Sequence, residues 1–448
     1  MSGSSTSPAR VAAEQPTLWQ NPILLFAIMA ALLALTGFAQ SWLLALTILQ
    51  LCIISAIMTL GVNVQWGYAG LFNAGTMGFV ALGGLAAVLV AADPVPEAWV
   101  AGGAGIGLSA LIICTTIAAI LLVRTYLSGL LRFLATIVCL VVGYVVFGQV
   151  FGPASEAIEA VNPAQSGYLG GMGISILFGW LLGGLLAAGA AWIIGKIAIG
   201  LRSDYLAIAT LGIAEIILAF IKNEDWLSRG VKNVTGLPRP VPYEVDLQTD
   251  PGFIELAANW GMEPNALAGI VVKLAFIALF TLVLVVLVYL AERALRSPWG
   301  RMMRAIRDRP DAASAMGKDV KRRHLQAFVI GSAICGIAGA MLVTVDGQFT
   351  PGSYQPLRFT FLVLVMVVVG GSGNNLGSVL GGFLIWFVWV QSEAVGFALV
   401  DLLSSGLDPS SWLAGHLTQA APHLRPVLMG LILVLALRFA PRGLIPER

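Results

Sequence analysis

Residues 267–291 read LAGIVVKLAFIALFTLVLVVLVYLA, with Lys273 the one charge, and they run directly into ERALRSPWGRMMRAIRDRPDAASAMGKDVKRRH at 292–324. At 1.5 Å per residue, a helix over the first stretch reaches about 37 Å, enough to cross the ~30 Å hydrocarbon core of a bilayer. The second stretch carries Arg293, Arg296, Arg301, Arg304, Arg307, Arg309, Lys318, Lys321, Arg322 and Arg323 against Glu292, Asp308, Asp311 and Asp319. So dense a charge stays in water. An apolar span that stops at a basic loop is the signature of a membrane helix with its positive end in the cytoplasm.

The same reading extends along the chain. Of 448 residues, 58% are hydrophobic and only 11% charged, and the mean hydropathy is +0.89. A soluble protein of this length carries more than twice that density of charge, so a soluble enzyme is excluded. Apolar runs fall near 22–38, 42–60, 66–92, 99–123, 133–151, 173–195, 204–221, 267–291, 325–345, 358–371, 376–398 and 422–437. The fold expected is an all-α integral membrane protein, a polytopic bundle of about 10–12 spans, some of them half-helices. It divides into a cytoplasmic tail, 1–20, and a transmembrane domain, 21–448. With the N-terminus inside, Arg124 and Arg132, Lys196 and Arg202, the loop 292–324 and the tail with Arg438, Arg442 and Arg448 all fall inside. Glu156, Glu159 and the mixed-charge loop 222–266 then fall outside, so every marked loop agrees with one orientation.

The basic loop holds more structure than orientation requires. Pro310 and Asp311 suit the first turn of a helix, where proline forfeits no bond and an acid meets the positive dipole end. Gly317 suits its stop. The expected object is a short cytoplasmic helix, Pro310 to Met316, with a small face of Ala312, Ala313 and Ala315. Such a helix fits a groove on another protein, although arginine-rich flanks alone would also anchor lipid headgroups.

Within the spans, glycines recur at small-xxx-small spacing, as at Gly103/Gly107, Gly179/Gly183 and Gly377/Gly381, which lets helix backbones approach closely. The stretch 67–84, GYAGLFNAGTMGFVALGG, has Asn73 and Thr76 within an apolar face. Irregular backbone at that depth is tolerated only where protein or water covers it. Glu215 lies well inside 204–221, where a carboxylate is by default a functional hypothesis. An ion pair with Lys273, a neutral hydrogen-bonded acid and a proton relay all remain open. Glu393 and Asp346 sit nearer span ends and are expected to be solvated.

Other chemistry finds little support. Cys52, Cys114, Cys139 and Cys335 stand singly and are expected to be small buried hydrophobes. His324, His416 and His423 lack any metal-ligand spacing. There is no GxxxxGK[ST] loop, so ATP hydrolysis is not expected in this chain, and GGSGNN at 370–375 suits a tight turn. No basic or acidic tail suggests nucleic acid.

The residues 297–341, SPWGRMMRAIRDRPDAASAMGKDVKRRHLQAFVIGSAICGIAGAM, resemble the coupling loop and following span of the M-type membrane permease of branched-chain amino acid ABC importers. Three further stretches match in order: 61–84 around GYAGLFNAG, 201–221 as LRSDYLAIATLGIAEIILAFI, and 367–382 as VVVGGSGNNLGSVLGG. The resemblance implies a type II importer fold in the bacterial inner membrane, with both termini cytoplasmic. It implies as partners a paralogous permease, two cytoplasmic ATP-binding subunits that hold ATP and Mg2+, and a periplasmic substrate-binding protein, with no cofactor in this chain. Gly300, Arg301, Arg304, Ala305, Ile306, Ala312, Ala313, Met316 and Gly317 then belong to the coupling element, beside Pro310 and Asp311. Gly67, Gly70, Asn73, Gly75, Thr76, Thr210 and Glu215 become candidates for the translocation path.

The chain also departs from the pattern. Arg309 and Pro310 replace an acidic run, Ser314 replaces a Glu, and Leu71, Asn73, Ala74 and Thr76 stand where the family has Gln, Ser, Leu and His. The stretch VKNVTGLPRP replaces a GGPNG-like motif, with Asn233 and Gly236 as echoes. The solute implied is a branched-chain amino acid. Urea, short amides and aromatic acids stay open, as does the separate class of proton-coupled secondary transporter.

Overall fold

The computed structural model describes residues 21–163, 166–404, 412, 416, 419 and 424–447. The tail 1–20, His423 and most of 405–423 lie outside the described residues. Helices α1 (Pro22–Ala39), α2 (Trp42–Val62), α3 (Thr76–Ala91), the single turn α4 (Pro96–Ala98), α5 (Ala104–Tyr126), α6 (Gly129–Ala160), α7 (Ile176–Ala198) and α8 (Ser203–Asn223) form the first half. The second half begins with short helices α9 (Asp225–Ser228), α10 (Glu244–Thr249) and α11 (Pro251–Asn259). Then come α12 (Pro264–Arg296), α13 (Pro298–Asp308), α14 (Pro310–Ala315), α15 (Val320–Asp346), α16 (Pro356–Gly370), α17 (Asn375–Ser404) and a last helix, Leu424–Phe439. Two-residue strands β1 (Val234–Thr235) and β2 (Gln348–Phe349) pair antiparallel.

Nine of the described helices are long and apolar enough to cross a membrane, with Thr76–Ala91 and Pro356–Gly370 shorter apolar helices beside them. Each of the twelve apolar stretches is helical over most of its length. The stretch 66–92 is not one span, however: a π-helical turn, Asn63–Tyr68, ends the α2 rod, and helix resumes only at Thr76. The loop 222–266 also holds more order than expected. It carries three short helices and a strand, and Leu237 N donates to Gly347 O at 3.2 Å, tying it to the end of α15.

The centre of the bundle is α15, packed against α7, α3 and α2, while α2 lies between α17 and α12. In the apolar windows of α2 and α15, 67% of residues are buried, against none in α6. In lipid no hydrophobic force drives one apolar helix onto another, so close backbone contact must hold these helices together. Glycine permits it. A Cβ on Gly83 would overlap the Gly336 carbonyl, one on Gly336 the Gly183 carbonyl, and one on Gly339 the Val80 carbonyl. Gly183 and Gly179 sit at such approaches, as do Gly377 and Gly381. Gly103 and Gly107 do not. Gly107 faces open space, and the close approach to α6 is made at Gly102, in the turn just before α5, and at Gly105 within it, both against Ala154.

The helices α5 and α6 form a hairpin that packs mostly on itself. Its free end touches the rest of the protein through Ala98, Ile158 and Leu169, with Phe151 edge-on to Trp226. Cys52 and Cys335 are buried as expected, but Cys114 is exposed on this hairpin and Cys139 half-buried. One open alternative is closed and one charge expectation is corrected. Lys273 Nζ donates to Thr47 Oγ1 at 2.8 Å and makes no pair with Glu215. Glu393 is not free in solvent but pairs with Arg425, whose guanidinium lies over Trp389.

Candidate coupling and translocation site

The break between α2 and α3 is built from side chains that replace lost backbone bonds. Irregular backbone inside a membrane protein must find internal partners, because lipid offers none. Gln65 Nε2 donates to Phe328 O and to Ser332 Oγ, each at 3.0 Å, and Gln65 Oε1 accepts from Asn73 Nδ2 at 2.9 Å. Asn73 Oδ1 in turn accepts from Gly75 N at 2.9 Å. The next donors go to neighbouring helices: Ala74 N to Thr210 Oγ1 at 3.1 Å and Met77 N to Thr360 Oγ1 at 3.3 Å. Gly70 supplies the left-handed turn at φ +69°, a conformation that costs a side chain.

A second network fastens the break to the turn between α16 and α17. Asn63 Oδ1 accepts from Gly373 N at 2.8 Å, and Asn63 Nδ2 reaches Asn375 Oδ1 at 3.3 Å. Tyr68 donates its hydroxyl to the same Asn375 oxygen, and Asn375 Nδ2 donates to Glu292 Oε1 at 3.1 Å. The GGSGNN stretch is therefore a tight turn, with Gly371 and Gly373 at positive φ.

The basic helices lie directly against this break. In α13 the buried face is Gly300, Met303 and Ile306, and Gly300 has no room for a Cβ beside the Leu295 backbone. Arg301 and Ala305 point outward, with Arg304 half-buried. Arg307 closes the contact: its Nη1 donates to Gly67 O at 2.5 Å and lies 2.9 Å from Glu447 Oε2, while Nε meets Asp308 at 3.1 Å. Burial alone would lower the Arg307 guanidinium, but Glu447 and Asp308 outweigh it and hold the group above its ordinary range. Glu447 is delivered by the final segment, which Leu444 N and Ile445 N fasten to the carbonyls of Val369 and Gly370.

Helix α14 has no buried residue. Pro310 and Asp311 open it, Ala312 and Ala315 are exposed, Ala313 is half-buried, and Met316 is 81% exposed. Gly317 ends it at φ +76°, its N–H donating to Ser314 O and that of Lys318 to Ala313 O. A cleft of about 760 Å³ lies between α14, the start of α15 and the 199–203 turn.

The structure thus gathers Gly67, Gly70, Asn73, Gly75, Thr76 and Thr210 in one place, against the basic end of the bundle. Asn73, Thr76 and Thr210 are buried, and their polar atoms hold the break. Glu215 stands apart. Five residues beyond Thr210, it lies about 140° round the α8 axis, exposed on a face with Ile208, Gly212 and Ile216. Sequence reading missed Asn63, Gln65, Tyr68, Asn375, Arg307 and Glu447. The signal for the first two was available: amide side chains inside an apolar run need partners at depth.

Residues 150–437 match the family described as Branched-chain amino acid transport system / permease component, and the chain belongs to that family. Among its relatives is the high-affinity branched-chain amino acid transport system permease protein LivM of Escherichia coli (strain K12). It is 30% identical over 208 residues, which cover 46% of this chain and 48% of the relative. The probable branched-chain amino acid transport permease protein LivM of Methanocaldococcus jannaschii is 32% identical over 174 residues, 39% of this chain and 46% of the relative. The fructose import permease protein FrcC of Rhizobium meliloti is 30% identical over 116 residues, 24% and 32%. The chain spans about half the length of the curated relatives it matches. No solved structure matches it.

Proposed function

We propose that the chain is a permease subunit of a binding-protein-dependent ABC importer, carrying branched-chain amino acids across the bacterial inner membrane. The observation that carries the reading is the continuity from exposed helix α14, through α13 and the Arg307–Gly67 bond, to the broken helix in the bundle. The basic end is cytoplasmic, and α14 docks into a groove of an ATP-binding subunit. ATP and Mg2+ belong to that partner. When two such subunits close on ATP, α14 moves with them and α13 transmits the displacement to the α2–α3 break. The bundle switches between two packings, because close-packed helices are bistable rather than continuously deformable.

Glu215 supports a second permease subunit. An exposed carboxylate in mid-span costs about 2.5–3.5 kcal/mol if it meets lipid. The α8 face that carries it therefore turns toward a partner subunit or a water-filled path. Among the described residues Glu215 makes no salt bridge, so an intrachain proton relay gains no support. The binding protein delivers solute to the end formed by 222–266.

The test is uptake by cells with and without the chain, using labelled leucine, valine, an acidic amino acid, urea and a short amide. Cellular ATP is depleted in one arm and the proton gradient collapsed in another. Leucine or valine uptake that needs ATP and survives gradient collapse is expected. Uptake that follows the gradient overturns the ABC reading.

A further inference from the structure

A groove of about 600 Å³ opens at the basic end of the bundle, between α7, the end of α12, the start of α13 and the first turns of α15. One face of α15 forms its back. Arg322 and Arg323 stand at one end, Leu325 and Gln326 follow a turn on, and Val329 and Ile330 lie a turn deeper. From Arg322 to Ile330 the helix rises about 12 Å. The wall therefore passes from guanidinium to aliphatic side chain over the depth at which a bilayer passes from headgroup to hydrocarbon. Trp192 of α7 and Trp299 of α13 line the sides, beside the small Ala294 of α12. Indoles favour that depth, where the ring meets apolar surface and its edge meets water.

The cations of this groove lack acids. Elsewhere at the same end Arg296 pairs with Glu292, and Arg304 and Arg307 with Glu447. Among the described residues neither Arg322 nor Arg323 makes an ion pair. Arg323 Nη1 donates to Gln326 Oε1 at 3.0 Å, an oxygen it shares with Trp299 Nε1 at 3.3 Å. Asp319, the nearest acid along the chain, caps α15 by accepting from Arg322 N at 3.0 Å. At the rim a third cation, Lys196, has its Nζ 3.7 Å from the centre of the Trp192 ring.

We propose that the groove binds one phospholipid with an anionic phosphodiester headgroup, its phosphate at Arg322 and Arg323 and an acyl chain along Leu325, Val329 and Ile330. A guanidinium fork matches phosphate oxygens in paired hydrogen bonds, and basic pockets between membrane helices hold such headgroups. Free phosphate would satisfy the arginines and leave the aliphatic wall uncovered, whereas a lipid covers both. Trp299 opens α13, the helix that carries Arg307 and its bond to Gly67. A lipid in the groove thus braces the near end of α13 against α15. The site stands whichever solute the chain carries.

The experiment titrates the full chain in its assembled transporter, in detergent, with phosphatidylglycerol and reads bound lipid by native mass spectrometry. One tightly held lipid per copy of the chain is expected, with phosphatidylethanolamine of the same acyl chains bound about tenfold more weakly. Arg322→Gln with Arg323→Gln is expected to weaken binding about thirtyfold, the factor that two interfacial cations supply. Arg124→Gln with Arg132→Gln removes as much charge from exposed positions on the α5–α6 hairpin and leaves the tight lipid in place. Ala294→Phe keeps every charge, fills the groove and displaces the lipid. Glycerophosphoglycerol, the same headgroup without acyl chains, does not compete. The site is overturned by a parent that retains no lipid, by full binding in the Arg322/Arg323 or Ala294 variant, or by equal loss in the hairpin variant. Full competition by glycerophosphoglycerol overturns it too, leaving a plain anion site.

Discussion

Arg307 and Gly67 are 240 residues apart and joined by one bond of 2.5 Å, from the guanidinium on the basic helix α13 to a carbonyl at the π-helical end of the α2 rod. The same guanidinium nitrogen lies 2.9 Å from Glu447, so the last residues of the described chain share the tie. A carbonyl released from helical bonding is a strong acceptor, and a guanidinium presents several donors in a fixed fork. Arg307→Ala is expected to leave ATP hydrolysis intact in the assembled transporter and to reduce leucine uptake per ATP several-fold. Arg307→Lys, with its charge but not its fork, falls between. The stability loss is about 1 kcal/mol, the ~1.5–3 kcal/mol of a charged hydrogen bond reduced because the site is partly open to water. Solute uptake and phosphate release measured together in proteoliposomes decide it, and an unchanged ratio removes Arg307 from the coupling route.

Helix α14 buries nothing in this chain, so its surface can change at little cost to the fold. Met316→Asp is expected to shift the thermal midpoint no more than an ordinary surface substitution, within about 0.5 kcal/mol, while co-purification of the ATP-binding subunits falls. Gly317→Pro goes further, because proline cannot adopt φ +76°. Membrane insertion should persist and uptake should be lost. Normal uptake by Gly317→Pro would show that α14 is not the docking element.

The glycine contacts at the centre separate structural glycines from incidental ones. Gly339→Leu drives a side chain into the Val80 carbonyl and should destabilise the bundle by about 1–3 kcal/mol or more. Gly189→Leu on α7 meets open space and should be neutral. Thermal-shift size exclusion on the two variants in detergent would distinguish them. Equal melting would mean that α3 and α15 do not rely on backbone contact.

Glu215→Gln tests the exposed face of α8. The isolated chain should fold and melt unchanged, since no partner within the described residues is lost, and uptake should remain independent of the proton gradient. A large drop in the melting point would place the carboxylate in an intrachain pair and contradict the exposed position.

Asn63→Leu removes the acceptor of Gly373 N and one partner of Asn375 in a buried site. Leaving such groups unsatisfied costs about 1–3 kcal/mol. A variant that melts like the parent would indicate that the break and the 370–375 turn are not fastened together.

Composition made the helices legible, because in lipid a sustained apolar run is itself the structural signal. The short helix at 310–315 was legible for another reason: Pro310 and Gly317 carry backbone conformation directly. What composition hides is rotation. Where every face of a helix is apolar, nothing in the run says which face meets protein. Hence Glu215 and Lys273 suggested a pair that the α8 and α12 faces do not make, and Gly103/Gly107 suggested a contact that Gly102 and Gly105 provide. The break at 63–75 was only half legible. Gly70, Asn73 and Gly75 marked it, yet Leu71, Phe72 and Ala74 kept the hydropathy high enough for 66–92 to read as one span. Arg307 was one arginine among ten cations, and its role depends on a carbonyl 240 residues away in the chain.

The α5–α6 hairpin bears on how the protein is made. Its two helices emerge from the ribosome before α7, α12 and α15, the partners that assemble the core, and they depend on none of them along most of their length. Insertion alone completes this part of the molecule. At 32 residues α6 reaches about 48 Å, well beyond the hydrocarbon thickness, so it must tilt, project or thicken the bilayer around it. The apolar run 133–151 accounts for only about 29 Å of that length, so the far end with Glu156 and Glu159 projects beyond the hydrocarbon, and it is the hairpin, not the buried core, that meets the surrounding lipid along most of its length.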